Sequence, residues 1–279
     1  MGVKTKRKTT KEERMEKQLL LKRAGELAGR AYQNGYVTHT DFLTEGERMD
    51  FLSAAAGGKR QNTGVYKGTE WALHGGWEEA ERSVLYFLPD YMNAEDFLRQ
   101  QELDPEAILC LAITPVNRRF AEPLTHRDYL GALMNLGIER DRIGDILTGE
   151  EQAFVFVLAD NAEMICRELI RVRHTSVTCR SVPPQQCSVR PEYEEREGSV
   201  SSERLDAILA MVYHLARGKA QELIERELVL IDGKPAFSGG YDLKPGSRVS
   251  VRGYGKFQYL GIGNQTKKGR FYARVKVWK

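Results

Sequence analysis

The chain has 279 residues and a formal net charge of +3, which conceals two opposed parts: residues 1–199 carry 27 Lys/Arg against 32 Asp/Glu, whereas residues 200–279 carry 15 against 7. This length predicts two or three domains with cores of their own. The longest apolar run, residues 153–159, is too short to cross a bilayer, and no apolar segment of signal-peptide type follows the basic N-terminus, so a soluble, cytoplasmic chain without membrane contact is expected. The four cysteines (Cys110, Cys166, Cys179, Cys187) form no C-x-x-C pair and have no His at zinc-ligand spacing. They read as reduced thiols, with no metal and no cofactor expected.

In chain order, residues 1–11 are Lys, Arg and Thr without apolar periodicity, a basic arm. Residues 11–32 place Met15, Leu19, Leu20, Leu27 and Ala31 at helical spacing. A second helix is expected from Thr40, with Thr44 and Glu47 as a capping pair, ending at Gly57-Gly58. Glycines then punctuate two hairpin strands near residues 65–66 and 71–73, followed by a strand over 83–88.

Between residues 107 and 184 the hydrophobic period alternates as strand (108–116), helix (126–136), strands (143–147 and 153–158), helix (161–172, with Asp160 as cap) and strand (176–182). That order is the split βαβ of ferredoxin-like domains, whose open sheet face often binds RNA. Phe154 and Phe156, spaced by two, share one face of a strand, and that face either meets bases or lies in a core. Arg118, Arg119, His126 and Arg127 gather donors near a helix start and form the candidate second RNA surface. Residues 190–199 are polar and acidic and read as a linker or an edge.

The last 80 residues open with a helix over 203–213, for which Ser201 or Ser202 is the expected cap, and a second helix over 219–226. Asp232-Gly233 signals a hairpin. Residues 243–279 hold ten Lys or Arg and no Asp or Glu, interleaved with Tyr254, Phe257, Tyr259, Phe271, Tyr272 and Trp278. A one-signed run with aromatics suits a polyanion with stackable bases.

The residues Arg204-Leu205-Asp206, Ala216-Arg217, Ala220, Leu223-Ile224, Val229, Ile231-Asp232-Gly233-Lys234, Pro245-Gly246-Ser247, Val249 and Val251 resemble, with their spacings, the alpha-L or S-four RNA-binding module. Val251-Arg252-Gly253-Tyr254-Gly255-Lys256-Phe257, Thr266-Lys267-Lys268-Gly269-Arg270, His74-Gly75-Gly76-Trp77, Glu78-Glu79-Ala80-Glu81-Arg82, Pro89-Asp90-Tyr91, the run His126-Arg127-Asp128-Tyr129-Leu130-Gly131 and Arg142-Ile143-Gly144-Asp145-Ile146 extend the likeness to the YlmH family of ribosome-associated RNA-binding proteins. The resemblance implies an α+β, multidomain chain: a basic arm and helical N-terminal domain (1–80), a ferredoxin-like domain (81–190) and an alpha-L domain with a basic strand extension (200–279). It also implies structured RNA (rRNA or tRNA) and the large ribosomal subunit as partners, a role in rescue of stalled translation and a genomic link to cell division. Carried onto this chain, the RNA-binding residues are Arg204, Arg217, Lys219 and Lys234 at the helix starts and the turn. Arg252, Lys256, Lys267, Lys268 and Arg270 join them from the basic tail. Family members usually have Gly where Glu227 stands and Ser where Ala216 stands. A left-handed Glu227 costs about 1 kcal/mol.

No catalytic residue is expected. His126-Arg127-Asp128 imitates a kinase catalytic loop, but Leu133 stands where Asn is needed. Arg204-Leu205-Asp206 imitates a pseudouridine synthase motif without a catalytic domain behind it. The expectation is therefore a monomeric, non-catalytic RNA-binding protein. The alternatives are an RNA-modifying enzyme with its active site in the central domain and a cell-division adaptor.

Overall fold

The computed structural model describes residues 10–265 and 269–278, which form two compact units, 1–189 and 190–279. In the first unit, α1 (Thr10–Asn34), β1 (Thr38–Leu43), α2 (Glu45–Ala55), β2 (Thr63–Tyr66), β3 (Thr69–His74) and β4 (Ser83–Phe87) build an antiparallel sheet of order β1-β4-β3-β2. The expected N-terminal helices are present as α1 and α2. Residues 40–43, expected to open the second helix, instead finish a strand. The helix begins only at Glu45, where Thr44 and Glu47 do form a capping box, Thr44 N–H donating to Glu47 Oε2 at 2.8 Å. Lys67 and Gly68, both at positive φ, make the two-residue turn between β2 and β3.

Strand β4 pairs with both β1 and β3, so the expected boundary at 80/81 falls inside this sheet. One face carries Leu43, Trp71, Leu73, Leu85 and Phe87 against Ala24, Leu27, Ala28 and Ala31 of α1 and Phe51 and Leu52 of α2. Phe51 meets Trp71 edge to face at 5.2 Å.

The chain continues through α3 (Ala94–Leu103), β5 (Ile108–Pro115), α4 (His126–Asn135), β6 (Ile143–Thr148), β7 (Ala153–Leu158), α5 (Ala159–Glu168), β8 (Arg171–Val172) and β9 (Thr175–Val182). The sheet runs β6-β7-β5-β9-β8, all antiparallel, which is the ferredoxin-like order with a short edge strand added. Helix α5 starts one residue before Asp160, which sits in its first turn rather than at the cap. Helices α4 and α5 cover one face through Tyr129, Leu133, Ala162 and Ile165 against Leu111, Ile113, Val155 and Val157.

The opposite face is also covered. Ile108, Cys110, Ala112, Phe154 and Phe156 pack against Phe42, Ala72, Val84 and Tyr86 from the N-terminal sheet and against Phe97 of α3. Phe156 is fully buried, and the backbone closes on it so tightly that a Cβ at Gly76 would lie 2.4 Å from its ring. A Cβ at Gly144 would likewise lie 2.6 Å from Phe42. The two phenylalanines are therefore core residues. The sheet face that such domains turn to RNA is not available here.

The motif at residues 74–82 is explained by the same junction. Asp145 on β6 accepts hydrogen bonds from Trp77 Nε1 (2.9 Å), Glu81 N–H (2.8 Å) and Arg82 N–H (3.2 Å), and Arg82 donates to Phe42 O at 2.9 Å. Burial pushes the Asp145 carboxyl above its ordinary value while these three donors oppose the rise.

His74, at the end of β3, titrates against the same packing. Burial lowers its pKa from 6.5 to about 4. The folded state therefore favours the neutral ring, and unfolding takes up a proton at any pH between those values. Stability contributed by neutral His74 is complete above about pH 6.5 and is lost as pH falls toward 4. With its ring partly reached by water, the loss expected is roughly 2 kcal/mol. Denaturant unfolding at pH 7 and pH 4.5 should show this loss, and His74→Asn should remove it.

The second unit comprises β10 (Tyr193–Val200), α6 (Leu205–Val212), α7 (Arg217–Glu225), β11 (Val229–Ile231), β12 (Lys234–Pro235), β13 (Arg248–Val251), β14 (Gly255–Gln265) and β15 (Phe271–Trp278). Its sheet runs β10-β15-β14-β13-β11-β12. Leu205, Ile208, Leu209, Val212, Leu223 and Ile224 of the two helices pack on Val249, Val251, Phe257, Tyr259 and Val275. Of the two readings of the acidic stretch, linker or edge, the structure shows the edge: it is strand β10. It aligns with the basic β15 so that Glu195 lies opposite Lys276 and Glu197 opposite Arg274. The C-terminal domain thus begins about ten residues earlier than residue 200, because the acid-free tail recruits the acidic segment as its sheet partner.

Asp232 and Gly233, at φ 51° and 77°, make the expected hairpin between β11 and β12. Both helices end in the left-handed region without glycine. His214 (φ 52°) follows α6, with Leu215 N–H donating to Ala210 O; Glu227 (φ 57°) follows α7, with Leu228 N–H donating to Leu223 O. The backbone geometry that favours Gly is retained while Glu occupies it. Glu227→Gly is therefore expected to stabilise residues 190–279 by about 1 kcal/mol, read as a rise in the urea midpoint with an unchanged slope.

Candidate nucleic-acid interface

The sequence pairs the starts of α6 and α7 as phosphate sites, but the two starts differ. At α6, Leu205 N–H donates to Tyr241 O (2.8 Å) and Asp206 N–H to Gly239 O (3.1 Å), so the loop between β12 and β13 consumes the amides a phosphate would need. Neither Ser201 nor Ser202 caps the helix; Arg204 holds that position. Its guanidinium forks onto the buried Asp206, Nε to Oδ1 at 3.1 Å and a terminal nitrogen to Oδ2 at 2.9 Å. Arg204 fastens the helix entry to its own carboxylate.

The start of α7 is open. Ala216, Arg217, Gly218 and Lys219 are all exposed. The first backbone bonds of the helix run from Lys219 and Ala220 N–H to Ala216 O, so the N–H groups of Arg217 and Gly218 have no carbonyl partner among the described residues. A Cβ at Gly218 would meet nothing within 4 Å, so an anion can approach the backbone closely. Arg217 donates to Ser201 Oγ at 3.1 Å, a neutral partner that orients the guanidinium without cancelling its charge. Lys219 reaches Glu222 at 2.9 Å, and Arg226 reaches the same carboxylate at 3.1 Å. Those two cations hold the Glu222 carboxyl below its ordinary range, and an exposed pair of this kind exchanges readily for a phosphate.

Beside this helix end lies a cleft of about 1040 Å³ between β10, α6 and the residue before β15. Arg196, Arg217, Arg270 and His214 line it, with Glu194 and Ser199 on the same wall. Arg270 donates to Ser199 Oγ at 2.8 Å and to its carbonyl, and Arg196 is bound to Glu194. Arg217 and Arg270, 53 positions apart, are therefore brought to one site through the segment 199–201. Lys234 is not: its strand is the far edge of the sheet from β10. Arg252 sits on the exposed turn between β13 and β14, and Lys256 lies 5.9 Å from the Trp278 ring centroid. Lys267 and Lys268, and residues 1–9 of the basic arm expected over 1–11, lie outside the described residues; residues 10 and 11 open α1.

The family model described as the putative RNA-binding domain in YlmH matches residues 108–186, and the S4 domain model matches residues 203–249. The chain therefore carries a domain of the type found in YlmH followed by an S4 domain. The YlmH-type match covers β5 to β9 and the S4 match covers α6 to the start of β13, so Arg217 and Lys219 fall inside the S4 domain and Arg270 beyond it. A curated relative, the ribosome-associated protein quality control protein P2 of Bacillus subtilis (strain 168), is 29% identical over 236 residues, covering 83% of this chain and 84% of its own length. A solved structure described as cell division protein ylmH from Streptococcus pneumoniae aligns with 67% of this chain and 99% of its own, at 21% identity and a TM-score of 0.43.

In the YlmH-type domain, Arg118 and Arg119 are exposed on the connection from β5 to α4, and His126 and Arg127 are exposed at the start of α4. Arg118 is paired with Glu151 at 2.8 Å. The kinase-like Asp128 is a helix-capping residue: Thr125 N–H and its hydroxyl donate to Asp128 Oδ2 at 2.8 and 2.7 Å, which holds that carboxyl below its usual range.

Sequence reasoning missed Phe237, which is 70% exposed in the loop that closes α6, and Tyr193, which is 47% exposed on β10. Phe237 had no periodicity to betray it. Tyr193 had a signal, since it opens an acidic run whose charges complement the basic tail.

Proposed function

We propose that the chain binds folded ribosomal RNA at the open start of α7 and works by binding rather than catalysis. Arg217, Lys219 and the two bare amides of Arg217 and Gly218 take backbone phosphate, and Arg270 supports them from across the cleft. The single observation that carries this reading is the exposed N-terminus of α7, with unpartnered N–H groups and two cations at one point. The two RNA-binding domain matches support it, as does the name of the curated relative, which attaches that protein to the ribosome and to quality control.

On this reading the partner is the large ribosomal subunit, with tRNA on it as a second contact, and the setting is rescue of stalled translation by a cytoplasmic monomer. Among the described residues no helix is long and apolar enough to cross a membrane. Arg252 and the exposed part of Lys234 add phosphate contacts at a distance from α7, and Arg118, Arg119, His126 and Arg127 form a separate, weaker surface. The test is co-sedimentation of the full chain with purified large subunits over a salt series. Association at low salt that falls steeply as salt rises supports the reading. Absence of association at low salt overturns it.

A further inference from the structure

Among the described residues, the exposed aromatics on strands are Tyr193 of β10 and Tyr272 of β15, both in the C-terminal unit. Strand β15 turns Tyr272, Arg274, Lys276 and Trp278 to one face, while Ala273, Val275 and Val277 point to the helices. On that outer face Tyr193 of β10 stands directly opposite Trp278, and Lys256 of β14 lies on its other side. Tyr193 and Tyr272 are 47% and 41% exposed. Lys276 Nζ lies 3.6 Å from the Tyr193 ring centroid and 5.6 Å from that of Trp278, which orders the rings and keeps a cation between them.

We propose that this outer face is a stacking platform for unpaired RNA nucleotides, separate from the phosphate site at α7. Its use of RNA rests on the function proposed above. Bases stack on Trp278 and Tyr272 at the two ends of β15, and Lys276, Lys256 and Arg274 take the phosphates between them. Glu195 and Glu197 share the face opposite Lys276 and Arg274, leaving only a small positive excess. Stacking therefore carries a larger share of the binding here, and the salt dependence is shallower than at α7. The face replaces the one the ferredoxin-like sheet has lost, since Phe154 and Phe156 are buried.

The experiment measures fluorescence anisotropy of the full chain with labelled oligouridylate and, separately, with a labelled RNA hairpin. The double variant Tyr272→Leu, Trp278→Leu should bind oligouridylate at least about tenfold more weakly and the hairpin as the parent does, because a stacked base contributes about 1–3 kcal/mol. Trp278→Tyr should retain most of the single-strand affinity. Arg217→Ala with Lys219→Ala should weaken the hairpin and leave oligouridylate binding in place; a chain that binds oligouridylate but never the hairpin would defeat the α7 reading alone and leave this one standing. Unchanged single-strand affinity in the leucine variant, with its thermal midpoint also unchanged, overturns the platform. So does loss of oligouridylate in the α7 variant, or a dimer in sedimentation that the leucine variant dissociates.

Discussion

Replacing Asp145 with Ala lowers the thermal midpoint of residues 1–189 by roughly 10 °C. The carboxylate is the common acceptor for Trp77 Nε1, Glu81 N–H and Arg82 N–H, and two of those donors are main chain and cannot turn elsewhere. Each donor stranded in a part-buried site costs about 1 kcal/mol or more, so the total is about 3 kcal/mol, and a unit of this size loses about 2–4 °C per kcal/mol. The loss reaches beyond one strand, because the 74–82 segment it fastens places Gly76 against Phe156 between the two sheets. Asp145→Asn should recover only part of the loss, since one side of the amide is a donor facing donors. Calorimetry that finds Asp145→Ala within about 1 °C of the parent would contradict this account of the motif.

The second large effect is on RNA. Arg217→Ala combined with Lys219→Ala is expected to weaken binding to large subunits roughly 10- to 100-fold at physiological salt, since charge-assisted contacts contribute about 1.5–3 kcal/mol and some phosphate contacts remain. The slope of log affinity against log salt should shrink by about 2, one for each phosphate neutralised. Arg204→Ala should behave differently. It removes the fork on Asp206, leaves that carboxylate buried without its partner and destabilises residues 190–279, while the salt slope measured below the melting range stays near the parent value.

These contrasts mark how much the sequence could disclose. The ferredoxin-like order was legible because residues 108–182 switch cleanly between the two hydrophobic periods, each segment long enough to read. The fate of Phe154 and Phe156 was also written there in physical terms. Residues 153–158 are apolar at every position and all six are buried, whereas a strand with one face open to RNA would alternate. Strand β1 was hidden by its neighbours, because Thr44 caps a helix so close behind that the preceding residues look like its first turn. Strand β10 was hidden for the opposite reason: its inward positions are Glu194, Arg196 and Gly198, the last covered by Met211, and carry no apolar period. At the site, Arg217 and Lys219 were legible from the helix start and the motif. The closing of α6 was not, since the carbonyls of Gly239 and Tyr241 that occupy its amides come more than thirty residues later and are placed only by the fold.

The central claim is that RNA is held at the start of α7 rather than on the central sheet. A benzophenone side chain installed in place of Gly218 tests it most directly, because the space beyond that Cα is open, with one at Arg127 on the exposed start of α4 for comparison. Irradiation on purified large subunits is expected to cross-link position 218 to ribosomal RNA. Ribosomal RNA cross-links from position 127 with none from position 218 would contradict it.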